Sequence, residues 1–143
     1  MRRILLASLA ASLSLSACSD RDLPAPYRRL DVPHARLASA DVQRQGRAIY
    51  LERCQLCHGR FADGRGVRRS DLPTRARDLT NPDWQGQVSD RRLYATIAAG
   101  HQGTAMPAWR GTLEAREIWS VVAYLRTLGP APVVAPAPER GGG

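Results

Sequence analysis

Lysine is absent from this chain of 143 residues, so all 21 of its basic residues are arginines, against 13 acidic residues. Because arginine is the only strong base, an arginine at one position does not by itself indicate bidentate recognition there. The formal net charge is +8, which favours acidic protein surfaces or anionic lipid headgroups as partners. In a chain that carries an export signal, this charge does not indicate nucleic-acid binding.

Sulfur-containing residues are also few, with three cysteines and two methionines. The sequence shows no internal repeat and no convincing strand pattern, which argues against folds built on βαβ units. Its length of 143 residues predicts one domain. Each cysteine, and Met106 as the methionine other than the initiator, therefore becomes a candidate functional residue.

Residues 1–17 have the pattern of a secretory signal peptide, with two arginines before a run of apolar and small residues. The run is too short to span a bilayer as a helix. Its end, LSAC (15–18), resembles a bacterial lipoprotein lipobox, which implies cleavage before Cys18 and a lipid on its sulfur. The alternative is an ordinary cleavage site with an incidental cysteine. We expect a lipid-anchored protein facing the periplasm, and Ser19 slightly favours the outer over the inner membrane.

The two flanks of the mature chain lack the composition of a packed core. Residues 18–38 hold three prolines and many charges, and we expect a lipid anchor and a flexible tether with a reach of roughly 25 Å. Residues 129–143 form a tail rich in proline, alanine and glycine, which we expect to be disordered. The folded domain is predicted over residues 39–128, and so small a core often needs a cofactor or metal.

Apolar residues at three-to-four spacing predict three helices, over residues 40–53, 90–99 and 113–128. Polar side chains that can accept hydrogen bonds from the free first-turn amides precede each helix. The expected N-caps are Ser39 or Asp41, Ser89, and Thr112.

Two features of this pattern need an explanation. Gly46 lies inside the first predicted helix, where glycine costs about 1 kcal/mol relative to alanine, and close approach of another helix would account for it. Residues 59–88 lack a periodic pattern, and an irregular loop of that length is uncommon in a small domain. The loop would be accounted for if it wraps a large apolar body that the chain does not itself supply.

Residues 54–58 read CQLCH, with two cysteines three positions apart and a histidine directly after the second. A redox dithiol, part of a zinc site and a haem attachment point all use such a pattern. A redox dithiol belongs in a βαβ context, and a zinc site needs four ligands. The motif supplies three, and His34 and His101 provide no second compact pair. C-x-x-C-H is the signature of c-type haem attachment, and export and the long loop both favour this interpretation.

The span 39–128 resembles the class I, monohaem cytochrome c domain in five stretches. They are GRAIYLERCQLCHG (46–59), DGRG (63–66), DLTNPDW (78–84), LYATIAAGHQGTAMPAW (93–109) and IWSVVAYLRTL (118–128). The resemblance implies an all-α fold that wraps one covalently bound haem c. It also implies that the first and last helices cross, with Gly46 and Tyr50 meeting Val121 and Tyr124.

The same resemblance implies a role for each residue of the motif. Cys54 and Cys57 would bond haem as thioethers, and His58 would bind the iron. Many relatives carry a proline just before the DLT stretch, where this chain has Ala76. We therefore expect the carbonyl of Pro73 to accept the proton of His58 Nδ1.

Met106 is the expected second axial ligand. It precedes Pro107 in a loop of small residues, where a methionine that only fills the core is unexpected, and a thioether stabilises ferrous iron. His101 is the competing ligand, although a solvent-facing loop histidine is the favoured interpretation. His34 lies in the expected tether, away from the iron.

With both axial positions filled by the protein, the iron has no site for substrate, so we expect an electron-transfer protein rather than an enzyme. The main hypothesis is a monomeric, lipid-tethered carrier that moves single electrons between respiratory redox proteins. The alternatives are a haem subunit fixed in a larger oxidoreductase or oxidase complex, and a haem sensor or peroxidase in which Met106 dissociates.

Two further groups of residues have open interpretations. The six arginines between residues 60 and 77 either form a docking patch for an acidic partner or belong to a solvated loop. Trp119 is expected in the core, whereas Trp84 and Trp109 either line the haem or pack as ordinary apolar residues.

Overall fold

The computed structural model describes residues 20–129, and this part of the chain is helical, with an isolated bridge between Arg110 and Leu113 and no strand. The all-α prediction is therefore confirmed. The signal peptide, Cys18 and the tail from residue 130 onward lie outside the described residues. The α-helices are α1 Ala25–Arg28, α2 His34–Leu37, α3 Ala40–Arg53, α4 Gln55–His58, α5 Pro82–Gln87, α6 Asp90–Ala99 and α7 Ala115–Arg126.

The centre of the fold is the crossing of α3 over α7, as the resemblance to cytochrome c domains implied. A Cβ on Gly46 would overlap the carbonyl oxygen of Ser120 and lie 3.0 Å from Cβ of Tyr124. One turn later, the Tyr50 ring lies 5.2 Å from the Tyr124 ring. The crossing point is Ser120 rather than the neighbouring Val121, and both residues are buried. Because glycine has no side chain, the two backbones can approach this closely.

The boundaries of α3 and α6 match the predicted 40–53 and 90–99, but α7 is shorter than predicted. It begins at Ala115, so Thr112 is not its N-cap. The amide of Thr112 instead donates to the Trp109 carbonyl in a turn that precedes the helix. Glu117 Oε2 accepts a hydrogen bond of 2.8 Å from the backbone amide of Glu114. The acidic first turn therefore satisfies a free amide, as in a capping box.

The segment that we expected to be a flexible tether is packed onto the domain from Asp20 onward. We call residues 20–38 the N-terminal strap. Its side chains Leu23, Tyr27 and Leu37 are buried, and α1 packs on α6 while α2 packs on α7. Two of the three prolines that suggested flexibility, Pro24 and Pro26, lie at the start of α1, where a fixed φ suits the first helical turn, and Pro33 directly precedes α2.

Aromatic and polar contacts hold this strap in place. The Tyr27 ring lies 6.3 Å from the Tyr94 ring, which in turn lies 4.5 Å from Trp119. Arg91 Nε donates to the carbonyl of Leu30 at 2.7 Å. The carboxylate of Asp20 accepts a hydrogen bond from Ser89 Oγ and pairs with Arg91. Trp119 is in the core, as predicted.

The stretch 59–88, predicted to be irregular, contains a short 3-10 helix, Arg69–Asp71, and one α-helix that the sequence analysis missed. Helix α5 begins after Asn81, whose side chain accepts a hydrogen bond of 2.9 Å from the amide of Trp84. An N-cap asparagine followed by proline is a helix start, so this signal was present in the sequence. Gln85, buried on α5, donates to the carbonyls of Leu79 and Leu125, and this ties the long loop to the end of α7.

Substituting Gly46 tests the crossing. We expect Gly46→Ala to lower the free energy of unfolding of the haem-loaded chain by about 1–3 kcal/mol or more, because the added methyl group forces α3 away from α7. Chemical denaturation followed by circular dichroism measures the change. The matched control is Gly86→Ala, since a Cβ on Gly86 in α5 meets no atom within 4 Å. Equal losses in the two variants would contradict a close crossing at Gly46.

Candidate functional site

The CQLCH motif occupies one turn of backbone directly after α3. Cys54 ends α3, and its amide donates to the Tyr50 carbonyl at 2.8 Å. The carbonyl of Cys54 then accepts from the amides of Cys57 and His58, at 3.2 and 3.0 Å. Both thiols are free of disulfide bonds. The helix that crosses α7 therefore carries the motif at its C-terminal end.

The electrostatics of Cys54 do not suit a redox dithiol. Burial, with a smaller effect of the neighbouring Cys57, raises the pKa of Cys54 to about 11. Reactive dithiols instead have a thiol with a lowered pKa, because the thiolate is the nucleophile. Within residues 20–129, no three His, Cys, Asp or Glu side chains come together as a metal site would require. The free thiols and the adjacent imidazole fit covalent haem attachment in their chemistry.

The imidazole of His58 is oriented by a backbone carbonyl. Its Nδ1 lies 3.3 Å from the carbonyl oxygen of Arg77. With the proton on Nδ1, the ring donates to this oxygen and Nε2 is left as a neutral donor for a metal. Burial lowers the pKa of His58, and the hydrogen bond to Arg77 offsets part of that effect. The site thus favours the neutral ring that iron ligation needs.

The expected acceptor, Pro73, was therefore wrong. Two residues beyond Arg77, buried Leu79 donates its amide to the carbonyl of Ala62 at 2.8 Å. This hydrogen bond holds the segment around Arg77 against the motif, while Pro73 remains exposed to solvent. Sequence spacing alone could not reveal which carbonyl of the irregular loop would be drawn in.

A second hydrogen bond, which the sequence analysis missed, fixes the end of the motif. The hydroxyl of Tyr50 donates to the carbonyl of Gly59 at 2.7 Å. The same carbonyl also accepts from the amide of Ala62 at 3.1 Å. Burial raises the pKa of Tyr50 well above its usual range, so the hydroxyl remains a donor. Because Tyr50 also packs on α7, this bond connects the helix crossing to the residue after His58.

The loop that contains Met106 is held against the end of α6. Gly100 has a φ of +74°, and a Cβ there would lie 2.8 Å from the carbonyl oxygen of Met106. The amide of His101 donates to that same oxygen at 3.2 Å, and Thr104 Oγ1 accepts from the amide of Met106 at 3.2 Å. Glycine at residue 100 therefore lets the loop fold back tightly.

The two candidates for the second iron ligand, Met106 and His101, differ in their exposure to solvent. Met106 is half-buried and packs on the hydrophobic core, as does Cys54, whereas His101 is exposed. His34 is exposed in α2 of the strap. Trp84 and Trp109 are half-buried against the core, and the Arg77 guanidinium lies 6.0 Å from the Trp84 ring centroid. One turn thus carries Cys54, Cys57 and His58, and a separate loop presents Met106.

These features define the class of protein as a small all-α cytochrome c domain. A search against protein families matches residues 41–125 to the family described as cytochrome c oxidase, cbb3-type, subunit III. The chain belongs to this family.

Curated relatives carry corresponding names. The chain is 33% identical over 84 residues to the cbb3-type cytochrome c oxidase subunit FixP of Bradyrhizobium sp. (strain ORS 278), a match that covers 59% of this chain and 27% of the relative. It is 31% identical over 94 residues to subunit CcoP of Azospirillum brasilense, covering 66% and 31%. The chain therefore spans about a third or less of the length of these relatives.

A solved structure shows a similar fold. A chain of the reducing HAO-like protein complex of Kuenenia stuttgartiensis superposes with a TM-score of 0.57 at 26% identity, over 64% of this chain and 46% of that one. Among residues 20–129, none of the helices is long and apolar enough to cross a membrane.

The contribution of the hydrogen bond between Tyr50 and Gly59 to stability can be tested by removing the hydroxyl oxygen of Tyr50. We expect Tyr50→Phe to lower the free energy of unfolding of the haem-loaded chain by about 0.5–1.5 kcal/mol, the net value of one hydrogen bond. Thermal or denaturant unfolding provides the measurement. The matched control is Tyr94→Phe, because the buried ring of Tyr94 uses its hydroxyl in no hydrogen bond within residues 20–129. A larger loss for Tyr94→Phe than for Tyr50→Phe would be the contradictory result.

Proposed function

We propose that this chain is a haem c-bearing electron-transfer subunit of a respiratory oxidase complex. The observation that carries the proposal is the family match over residues 41–125, which spans the crossed helices, the CQLCH turn and the Met106 loop. The named relatives are oxidase subunits. These findings favour the complex-subunit alternative over the free carrier that was our main hypothesis from the sequence.

Four side chains would hold the haem. Cys54 and Cys57 would supply the thioether sulfurs, and His58 Nε2 and Met106 Sδ would be the donors to the iron. When bound, the haem iron takes up and releases one electron. The Arg77 carbonyl fixes the ring of His58, and the hydrogen bonds around residues 101–106 fix the backbone of Met106. Groups fixed in this way would suit an electron-transfer site, which needs little rearrangement when the iron gains or loses an electron.

If His58 and Met106 both bind the iron, the chain leaves no place there for a substrate. The chain then has no catalytic reaction of its own, and the oxidase supplies the chemistry on oxygen. A sensor or peroxidase function would require Met106 to leave the iron. The folded-back loop, with Gly100 and His101 both packed or bonded against Met106, favours a retained ligand.

The export and membrane attachment of the chain also remain proposals. A lipid on Cys18 would lie two residues before Asp20, which is bonded to α6 through Ser89 and Arg91. A strap packed in this way would hold the domain close to the bilayer instead of leaving it free to move on a long tether. If the chain is a subunit of a respiratory oxidase, its membrane is the one that contains the respiratory chain. This favours that membrane over the outer membrane that Ser19 suggested.

Purification of the native complex tests the proposed function. We expect the chain, isolated through an affinity tag from membranes solubilised in mild detergent, to bring with it the catalytic subunit of a haem–copper oxidase. Mass spectrometry of the purified material identifies the partner, and the intact mass of the chain reports whether Cys18 carries a lipid. Recovery of the chain alone under conditions that keep other respiratory complexes intact would favour the free carrier.

The axial ligands are tested by a pair of variants. We expect Met106→Ala to abolish the sulfur-to-iron charge-transfer band of the ferric protein, to allow cyanide to bind, and to lower the reduction potential, because the thioether that favours ferrous iron is lost. His101→Ala, which changes an exposed side chain of the same loop, serves as the control and leaves the band unchanged. Absorption spectra and potentiometry give both results. The opposite pattern would show a bis-histidine iron.

A further inference from the structure

The N-terminal strap precedes the span that matches the family, residues 41–125, and yet it is packed onto that span. Its helix α1 packs on α6, and its helix α2 packs on α7. On the strap, Leu23, Tyr27 and Leu37 are only 3%, 8% and 8% exposed. Burying these side chains takes apolar surface out of water and holds the strap on the domain. A segment outside the family match therefore supports two helices inside it.

Polar groups of the strap hold the beginning of α6. The carboxylate of Asp20 accepts a hydrogen bond from Ser89 Oγ, the hydroxyl that caps α6 by accepting from the amide of Arg92 at 3.0 Å. The same carboxylate pairs with Arg91, and Arg91 Nε donates to the strap carbonyl of Leu30 at 2.7 Å. A carboxylate and a carbonyl of the strap are thus both bonded to the first turn of α6.

Tyr27 extends this contact along one face of α6. Its ring lies 6.3 Å from the ring of Tyr94, which is 8% exposed. Tyr94 is three residues after Arg91 and four before Ala98, so these positions share one face of the helix. Ala98 is 2% exposed. The face of α6 on which the strap packs therefore continues into the last turn of the helix.

The last turn of α6 holds the far end of the loop that contains Met106. The carbonyls of Ile97 and Ala98 accept hydrogen bonds from the amides of Trp109 and Arg110, at 3.0 and 3.1 Å. Met106 lies three residues before the first of these amides. Because the loop is bonded back to α6 so close to Met106, the position of this side chain depends on where α6 lies.

We propose that the N-terminal strap positions Met106 for its function as a donor to the iron, with Tyr27 and Asp20 as the positioning residues. By holding α6 on the domain, the strap keeps the loop closed and raises the free energy needed to open it. The strap contact, α6 and the loop then open together as one cooperative unit. The inference rests on the proposed function, in which Met106 is the second donor.

Two other arrangements would give the strap no such function. Arg126 also holds the first turn of α6, through Asp90 Oδ1 at 2.6 Å, and this bond would hold the helix alone. The strap would otherwise be an apolar cover that stabilises the whole domain. The geometry favours a specific function, because a helix of ten residues has little stability of its own. Tyr27 contacts α6 at Tyr94, one turn closer to the loop than Arg126 does.

The test measures how readily Met106 leaves the iron in the full-length, haem-loaded ferric chain. Cyanide binds only after Met106 has left, so at low cyanide concentration the rate constant of binding is proportional to the equilibrium constant for opening. We expect Tyr27→Ala to raise this rate constant by about tenfold, because the aromatic contact no longer opposes opening. Tyr27→Phe retains the ring and is expected to stay within about twofold of the wild type.

The matched control is Leu37→Ala, which truncates a buried side chain of the same strap, on the helix that packs on α7. Denaturant unfolding is expected to show a loss of stability in Leu37→Ala as in Tyr27→Ala. The rate constant of cyanide binding in this control is nevertheless expected to change by about twofold or less, because its contact lies outside the unit that opens.

A second pair of variants tests the polar part of the contact, and serves also where truncation of the ring prevents folding. Asp20→Ala removes the carboxylate that is bonded to Ser89 and Arg91, and we expect the rate constant of cyanide binding to rise by about threefold. Asp22→Ala makes the same change in net charge at an exposed aspartate that enters none of the ion pairs within residues 20–129. It is expected to leave the rate constant unchanged.

Hydrogen exchange provides a readout that does not use cyanide. The amides of Trp109 and Arg110, which close the loop onto α6, are expected to exchange faster in Tyr27→Ala by about the same factor as cyanide binds faster. In Leu37→Ala they are expected to exchange at the wild-type rate. A strap that only adds to the stability of the whole domain would not produce this difference.

The contrary outcomes separate this inference from the proposed function. A wild type that lacks the sulfur-to-iron charge-transfer band and binds cyanide at once would show that Met106 is not a donor, and would overturn both. A wild type that has the band, with Tyr27→Ala and Asp20→Ala binding cyanide no faster, would overturn the strap inference alone. Equal acceleration in Tyr27→Ala and Leu37→Ala would also overturn it, because the strap would then stabilise the domain as a whole.

Discussion

The contact between the backbones of α3 and α7 at Gly46 sets the geometry of everything that follows in the chain. The crossing places Tyr50, one turn later, between α7 and the CQLCH turn. From there the ring packs on Tyr124 and the hydroxyl donates to Gly59. The CQLCH turn is thus positioned by a buried helix pair and not by the loop around it. A side chain at residue 46 would shift α3 and carry the turn along with it.

Around this pair, the domain assembles a core from segments that are individually too short to be stable. Helices of four to six residues cannot form alone in water, because nucleation costs more than so few hydrogen bonds return. They are held here by burial and by hydrogen bonds to distant carbonyls. Gln85 links the long loop to α7, and Tyr27 links the strap to α6. The long loop and the strap therefore have structure only in the context of the assembled domain.

This dependence explains how much the sequence could predict. The regular helices α3 and α6 followed from apolar spacing, because that signal is local. The cap of α6 was also correct, since Ser89 accepts a hydrogen bond from the amide of Arg92, whereas the side chain of Ser39 makes no capping hydrogen bond to α3. Cys54, Cys57 and His58 were selected from a short pattern with a known chemistry, and their role in holding a haem stays a prediction. The order of the strap could not be predicted this way, since its prolines and charges look like those of a linker. Its few apolar residues become significant only when their buried partners on α6 and α7 are known.

The Pro73 error has the same origin. A carbonyl that orients His58 must come from an irregular loop, and no local pattern indicates which residue of such a loop will face the motif. The structure decides it through Leu79, whose burial and bond to Ala62 bring Arg77 alongside the imidazole. Long-range packing therefore determines the site residues that contribute only backbone atoms.

The sequence of this lysine-free chain could not show which arginines have a structural function. Their hydrogen bonds in the structure distinguish them. Arg126 is half-buried and donates to Asp90 at 2.6 Å, to Val88 at 2.6 Å and to two oxygens of Gln85 at 3.0 Å. It closes the end of α7 onto α5 and α6, a structural function that uses the planar array of guanidinium donors. Arg60 and Arg68 are exposed and enter none of the ion pairs within residues 20–129. Because such exposed charges add little to the stability of the fold, Arg60 and Arg68 do not share the structural function of Arg126.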